Sequence, residues 1–295
     1  MDKQALKGNL LLLLTAIIWG SAFVAQRVGA QNMGSFTFNG IRFLLGALFL
    51  IPIMKHYHYK KTDASLKMAV RSSLSPGILL GAVLFIAASL QQVGMIYTTA
   101  GKAAFITGMY IIFVPLAGIF FKHPVTFKTI FSAVLALIGL YLLTVSDTMT
   151  INIGDVYQLI GAFFWTSHIL LIDYFVKGHD ALKLSVIQFS TTAVLSLVVG
   201  TLFEETTLPM LQSTVIPILY GGLLSVGVAY TLQIVAQKFA KPSHAAIILS
   251  LEAVFGVLAG VLLLGEILTN RGLAGIILMF CGMMVSQMQF SMKKS

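Results

Sequence analysis

The sequence predicts an all-α polytopic membrane protein with ten transmembrane helices, arranged as two inverted five-helix repeats. Two features of the composition point to the membrane: 58% of the 295 residues are hydrophobic, and only 10% are charged. Charged residues make up about 25% of an ordinary soluble domain. A third observation, the recurrence of one apolar pattern further along the chain, predicts the duplication.

Ten apolar segments are long enough to cross a bilayer, which takes roughly 20 residues of helix. The connections are short except for residues 55–75, which are basic. The first segment continues past Trp19 without a convincing cleavage site, so we interpret it as a retained span. The predicted spans are residues 8–29, 34–54, 76–97, 101–121, 127–146, 154–176, 182–203, 214–237, 242–264 and 271–290.

The basic residues predict the orientation of the chain. Ten spans place both termini on one side, and 15 of the 19 Lys and Arg residues then fall on that side. Because basic loops stay in the cytoplasm, we expect an inner-membrane protein with both termini cytoplasmic. The same loops explain the net charge of +9, so no nucleic-acid partner is expected. The remaining four basic residues are Arg27, Arg42, Lys102 and Arg271.

The apolar pattern of residues 103–118 returns in residues 245–260, with 7 of 16 positions identical. The two tryptophans of the chain, Trp19 and Trp165, lie 146 positions apart in similar surroundings. Both comparisons indicate that the chain contains two copies of one unit.

Each copy holds five predicted spans, an odd number, so the second copy must insert in the opposite orientation. We place the first repeat at residues 1–147 and the second at residues 148–295. Inverted repeats are a recurring plan of secondary transporters, in which a central site opens first to one side and then to the other.

Three long runs carry a resemblance to a known family: TTAGKAAFITGMYIIFVPLAGIFF (98–121), GDVYQLIGAFFWTSHILLIDYF (154–175) and AYTLQIVAQKFAKPSHAAIILSLEAVFGVLAGVLLLGE (229–266). These runs resemble the EamA-type members of the drug/metabolite transporter superfamily. The resemblance covers nearly the whole chain. It implies a central cavity lined mainly by spans 1, 3, 4, 6, 8 and 9, and export of small metabolites such as amino acids. Ala253 departs from the pattern, since the family usually has proline at this point.

Glu252 is the first candidate for the functional site, because it lies near the middle of an apolar span. A charged carboxylate there costs on the order of 3 kcal/mol, and such groups usually face a partner or a cavity. Gly256 and Gly260 share its helix face, so this face should meet protein rather than lipid. We predict that Glu252 binds substrate and exchanges a proton; the alternative is a structural hydrogen bond between helices.

Eight further side chains complete the predicted substrate site. His168 is the second candidate for proton coupling, because histidine titrates near neutral pH. Amides bind polar substrate atoms without the desolvation cost of a charge, and Tyr and Trp offer ring faces. For each residue the alternative is an interhelical hydrogen bond or core packing. The eight are Trp19, Gln91, Gln92, Tyr110, Trp165, His168, Tyr230 and Gln233.

Four charged or titratable residues lie near predicted span ends. Lys102 and His244 are repeat equivalents beside helix N-termini, which attract anionic groups; the alternative is that they reach to the membrane interface. Arg42 and Asp173 are expected to be solvated or paired at the interface.

The sequence contains no P-loop, no zinc-protease motif and no paired cysteines, so no cofactor or metal is predicted and an ATP-driven pump or an enzyme is disfavoured. The predicted function is secondary active export of a small metabolite, an amino acid or a similar compound, by alternating access with proton coupling. The alternatives are an uncoupled facilitator, an intramembrane enzyme and a channel. The expected partners are a small-molecule substrate and membrane lipid; the oligomeric state is left open.

Overall fold

The computed structural model describes residues 3–57, 63–98, 100–120, 125–145, 151–264 and 267–287. Every regular element within these ranges is a helix, which confirms the predicted all-α class. Ten helical units follow one another along the described chain, as predicted. We number them α1 to α10.

The bounds of the ten units follow chain order, and α4 and α9 each consist of two parts. Eight units contain a window long and apolar enough to cross a membrane, while α4 and α10 contain shorter apolar helices. The units are α1 (Lys3–Asn32), α2 (Ser35–Tyr57), α3 (Asp63–Tyr97), α4 (Ala100–Gly108 and Tyr110–Gly118), α5 (Phe127–Thr144), α6 (Ile153–Val176), α7 (Ala181–Phe203), α8 (Leu208–Ala236), α9 (Pro242–Leu249 and Glu252–Leu264) and α10 (Asn270–Gln287).

The predicted long connection at residues 55–75 is wrong at both ends. α2 continues to Tyr57, and α3 already begins at Asp63. The sequence that starts at Asp63, DASLKMAV, has no Gly or Pro and is rich in the helix formers Ala, Leu, Lys and Met, so helix extends into the basic segment. The rest of the connection, residues 58–62, lies outside the described residues.

Short polar side chains set the starts of several helices. Asn152 and Asp155 form a reciprocal capping box at the start of α6, and the Asp180 side chain accepts the Leu182 N–H at the start of α7. Such caps satisfy amide groups that have no partner within the helix. The N-terminus of α2 is capped from another helix, because the Glu204 carboxylate after α7 accepts two of its backbone N–H groups.

Helix contacts follow a two-fold pattern. α5 packs on α10, α2 on α7 and α4 on α9, so three helices of each half pack on their counterparts in the other half. Each of the other main contacts has an equivalent in which the two repeats are swapped. α1 packs on α8 as α6 packs on α3, α1 packs on α9 as α6 packs on α4, and α2 packs on α8 as α7 packs on α3. This is the pattern of two repeats around a pseudo-two-fold axis. The predicted boundary between residues 147 and 148 lies outside the described residues and stays a prediction.

Glycine lets α5 and α10 pack with their backbones in contact. A Cβ atom at Gly139 would lie 2.6 Å from the carbonyl oxygen of Gly275, and a Cβ atom at Gly275 would lie 2.5 Å from that of Gly139. Gly282 meets Ser132 further along, so the two helices run antiparallel. Close backbone approach at small residues is a main source of helix association in lipid.

α4 and α9 are interrupted near mid-span at equivalent positions of the two repeats, Met109 and Leu251. At both points an N–H group bonds three residues back instead of four, to Ile106 and Ile248 respectively. This tighter turn often marks a hinge when it occurs within a helix. α9 is interrupted although Ala253 is not proline, so the interruption does not depend on a proline there.

α8 is also irregular near its middle. Residues Tyr220–Tyr230 form a π-helix between two α-helical parts. π-Helical turns are rare and occur frequently at functional sites. This segment packs against α1 and α2, and its last residue lies at the centre of the molecule.

Candidate functional site

A narrow central cavity lies where the two repeats meet. The space between its lining atoms, including the opening, is about 470 Å³, of which about 30 Å³ can hold the centre of a water molecule. Side chains from α1, α3, α4, α6, α8 and α9 line it, the same six spans that the resemblance implies. The structure brings seven of the nine predicted substrate-binding residues to this cavity; whether they bind substrate stays a prediction. The seven are Trp19, Gln91, Tyr110, Trp165, Tyr230, Gln233 and Glu252.

Glu252 and Tyr110 meet in the cavity. The Tyr110 hydroxyl donates a hydrogen bond of 3.1 Å to Oε1 of Glu252, and the two residues are repeat equivalents, 142 positions apart. Each begins the second part of an interrupted helix. Glu252 is partly exposed to the cavity, and no described residue donates to its Oε2 atom. The carboxyl therefore lies near the pseudo-two-fold axis with one oxygen open to a ligand.

Aromatic rings form one wall of the cavity around Tyr230. The ring centroids of Trp19 and Trp165 lie 4.5 Å and 6.2 Å from that of Tyr230, and the Trp165 ring is stacked on it. Trp19 Nε1 donates to the carbonyl oxygen of Ser225 at 3.3 Å. Trp165 Nε1 is buried and has no hydrogen-bond partner among the described residues.

Amides form a hydrogen-bonded chain along another wall. Gln91 Nε2 donates to Oε1 of Gln26 at 3.3 Å, and Gln158 Nε2 donates to the backbone oxygen of Gln91 at 3.0 Å. The Thr107 hydroxyl donates to Oε1 of Gln158 at 3.0 Å. These hydrogen bonds join α1, α3, α6 and α4, and three of the four side chains line the cavity.

Several lining residues were not predicted from the sequence. Gln26 and Phe23 share the face of α1 that carries Trp19, at helical spacings of seven and four. That spacing could have identified them. Thr107, Ile169, Ser225 and Leu249 also line the cavity.

Much of the lining is duplicated. Five pairs of repeat equivalents contribute both of their members to the cavity, so the cavity follows the pseudo-two-fold axis. Gln26, Ser225 and Tyr230 line it without an equivalent on the opposite wall. The five pairs are Trp19 and Trp165, Phe23 and Ile169, Gln91 and Gln233, Thr107 and Leu249, and Tyr110 and Glu252.

Two of the nine predicted residues lie outside the cavity lining. Gln92 is fully buried, and its Nε2 donates to the backbone oxygen of Gln26 at 2.9 Å. His168 is also fully buried and lies 3.1 Å from Oε1 of Gln188, which belongs to α7. Its ring lies behind Trp165 and Tyr230, with centroid distances of 6.1 and 6.4 Å. The predicted role of His168 in proton coupling stays a prediction.

The expectation that Arg42 is solvated or paired at the interface is wrong. Its side chain is 2% exposed, its guanidinium lies 4.9 Å from the Phe43 ring centroid, and its Nε donates to Oδ1 of Asn39 at 2.9 Å. Aromatic and amide partners stabilise this buried cation. Asp173 is paired as expected, since it accepts from Lys177 Nζ at 2.8 Å.

The structure describes only part of the predicted pair beside helix N-termini, Lys102 and His244. His244 is partly buried at the start of α9, where the sequence predicted a position beside a helix N-terminus. The Lys102 side chain lies outside the described part of the structure.

Comparison with known proteins places the chain among transporters. The model of the EamA-like transporter family matches residues 6–145 and again residues 152–288. An uncharacterized transporter of Archaeoglobus fulgidus is 31% identical over 90% of this chain and 81% of its own, and the uncharacterized transporter YoaV of Bacillus subtilis is 25% identical over 96% and 97%. A solved crystal structure with 14% identity has a TM-score of 0.79 over 95% of this chain and 96% of its own, which shows the shared fold.

These matches and the apolar spans make the chain an integral membrane protein, and the family and the relatives' names point to transport rather than catalysis. The family model covers each half of the chain separately, in agreement with two repeats. The chain belongs to the EamA-like transporter family.

Proposed function

We propose that the chain is a secondary active transporter that exports a small metabolite, an amino acid or a similar compound, by alternating access. The observation that supports this proposal most is the central cavity on the pseudo-two-fold axis, where Tyr110 and Glu252 of the two repeats meet. Inverted repeats place binding sites at such an axis, because rocking of the halves can then expose the site to either side.

The interruptions of α4 and α9 support this mechanism. Both helices change their hydrogen-bonding pattern immediately before Tyr110 and Glu252, so each has a hinge beside the cavity. Motion at these hinges moves the two residues relative to each other without unfolding the rest of either helix. Glu252 and His168 are the proposed sites of proton coupling, and an uncoupled facilitator is the competing proposal.

The experiment for this function works for a substrate of any identity. We expect cells that produce the chain to lower the internal concentration of at least one amino-acid-like metabolite and raise it in the medium. Untargeted metabolite profiling inside and outside the cell measures both. Glu252→Ala should abolish the difference, whereas Glu205→Ala, which changes an exposed carboxyl after α7, should preserve it. Equal profiles with and without the unmodified chain would contradict export.

We place the chain in the inner membrane with both termini in the cytoplasm. The start of α1 lies beside the basic α8–α9 connection, since Lys7 Nζ is 5.7 Å from the Phe239 ring centroid. The sequence predicts the excess of Lys and Arg for the loops on the side of the bundle that holds the N-terminus, and such loops stay in the cytoplasm.

Cysteine labelling tests this orientation. In a Cys281→Ser background, we expect Gly178→Cys, between α6 and α7, to react with a membrane-impermeant maleimide only after the cells are permeabilised. Glu205→Cys, between α7 and α8, should react in intact cells. The reverse result would place the termini outside.

A further inference from the structure

The geometry points to a substrate class: the central cavity selects a cationic amine with an aromatic or apolar body over the matching zwitterion or anion. This inference rests on the proposed export function and departs from its amino-acid substrate, because the same cavity would carry an amine that lacks the carboxylate. It depends on three features of the lining: its charge, its rings and its unpaired hydrogen-bonding atoms.

The charge of the lining has one sign. Glu252 is the one acidic side chain among the described residues that line the cavity, and no Lys, Arg or His is among them. A ligand ammonium group would therefore find a carboxylate, with the open Oε2 atom as acceptor. A ligand carboxylate would be buried without a cation, and unpaired buried charges are strongly unfavourable.

The buried Arg42 guanidinium is not part of the cavity lining. Phe43 contacts both Arg42 and Tyr230, with 4.9 Å from its ring centroid to the guanidinium and 5.8 Å to the Tyr230 ring. Tyr230 lines the cavity, whereas Arg42 and Phe43 do not. The guanidinium is thus stabilised behind the aromatic wall and does not offer a partner to a ligand carboxylate.

The aromatic wall suits the same kind of ligand. The Trp19 and Trp165 rings lie 4.5 and 6.2 Å from the Tyr230 ring, and Phe23 and Tyr110 add two more rings to the lining. Ring faces attract cations within about 6 Å of the centroid, most strongly for tryptophan, and they also pack against aromatic bodies. One wall can therefore hold either the ammonium or the apolar body of an amine.

A buried hydrogen-bond acceptor supports the same inference independently of the charge and the rings. Gln233 lines the cavity, is 1% exposed, and its Oε1 has no hydrogen-bond partner among the described residues. A buried polar atom without a partner costs free energy that a ligand donor would recover. An ammonium group has three N–H donors, so we infer that it donates hydrogen bonds to both Gln233 Oε1 and Glu252 Oε2.

Intrinsic fluorescence offers a direct test, because both tryptophans of the chain line the cavity. The purified protein is titrated with three compounds that share one phenylethyl body: phenethylamine, phenylalanine and 3-phenylpropanoate. We expect phenethylamine to bind with a Kd at least about tenfold lower than phenylalanine, because the phenylalanine carboxylate would be buried without a cation. The compound 3-phenylpropanoate should bind weakest, because it has the carboxylate and lacks the ammonium group.

Variants and alternative outcomes make the test decisive. Glu252→Gln should reduce the preference for phenethylamine over 3-phenylpropanoate at least about tenfold, because it removes the carboxylate that accepts from the ammonium group; Glu205→Gln should retain this preference. Equal or tighter binding of phenylalanine would overturn the inference, as would a lack of response to all three compounds. Either result would leave export itself standing, because metabolite profiling tests export without assuming a substrate class.

Discussion

Replacing Glu252 by glutamine will remove the response of transport to an imposed pH gradient. For a carrier that exchanges one proton per substrate, a gradient of one pH unit is worth about a factor of ten in substrate accumulation. The unmodified protein should show a gain of this order in reconstituted vesicles, and Glu252→Gln should show none. Glutamine keeps the size and an acceptor for Tyr110 but cannot take up or release a proton, so the variant lacks the group that is proposed to couple transport to the gradient.

Glu205→Gln is the matched control, since it removes an exposed carboxyl outside the cavity and should keep the full response. A Glu252→Gln protein that still responds to the gradient would exclude Glu252 as the coupling group and leave His168 as the remaining candidate. If the unmodified protein accumulates substrate equally with and without the gradient, the chain is a facilitator.

Gly20→Leu should disrupt the contact between α1 and α9 beside the cavity. A Cβ atom at Gly20 would lie 2.6 Å from both the carbonyl oxygen of Glu252 and Cβ of Phe255, and 2.7 Å from the amide nitrogen of Gly256. These are mostly backbone atoms that cannot move away, so overpacking of about 3 kcal/mol is expected. Thermal unfolding of the purified protein measures the loss as a lower Tm.

Gly178→Leu is the matched control for this change. A Cβ atom at Gly178 meets nothing within 4 Å, so the same substitution there should leave Tm nearly unchanged. A Gly20→Leu protein with the Tm of the unmodified chain would contradict the close approach of α1 to α9.

The helix number and the relation of the two halves were predictable because they depend on long-range features of the sequence. Apolar length identifies each span, and the match between residues 103–118 and 245–260 identifies the duplication. The helix in the basic segment after Tyr57 was not predicted, because low hydropathy is typical of a loop, whereas helix propensity does not require an apolar sequence. The interruption of α9 at Leu251 was not predicted, because the sequence around it contains no proline.

The site was predictable where the repeats provide a second copy and less so elsewhere. Trp19, Gln91 and Tyr110 have equivalents that were assigned with them, and all six residues line the cavity. Helical spacing alone did not locate His168 correctly. His168 shares a helix face with Trp165, which lines the cavity, but the imidazole itself lies against Gln188 of α7. Arg42 depends on tertiary packing that spacing along one helix does not reveal.

The hydrogen bond between Tyr110 and Glu252 has a consequence for the energetics of the cycle. If the two halves were identical, a two-fold rotation would convert the inward-open form into the outward-open form. The two forms would then have equal free energy and the same substrate affinity from either compartment. A phenol in one half and a carboxyl in the other remove that degeneracy. The Michaelis constants on the two faces of the membrane should therefore differ, even in vesicles with no gradient of any kind.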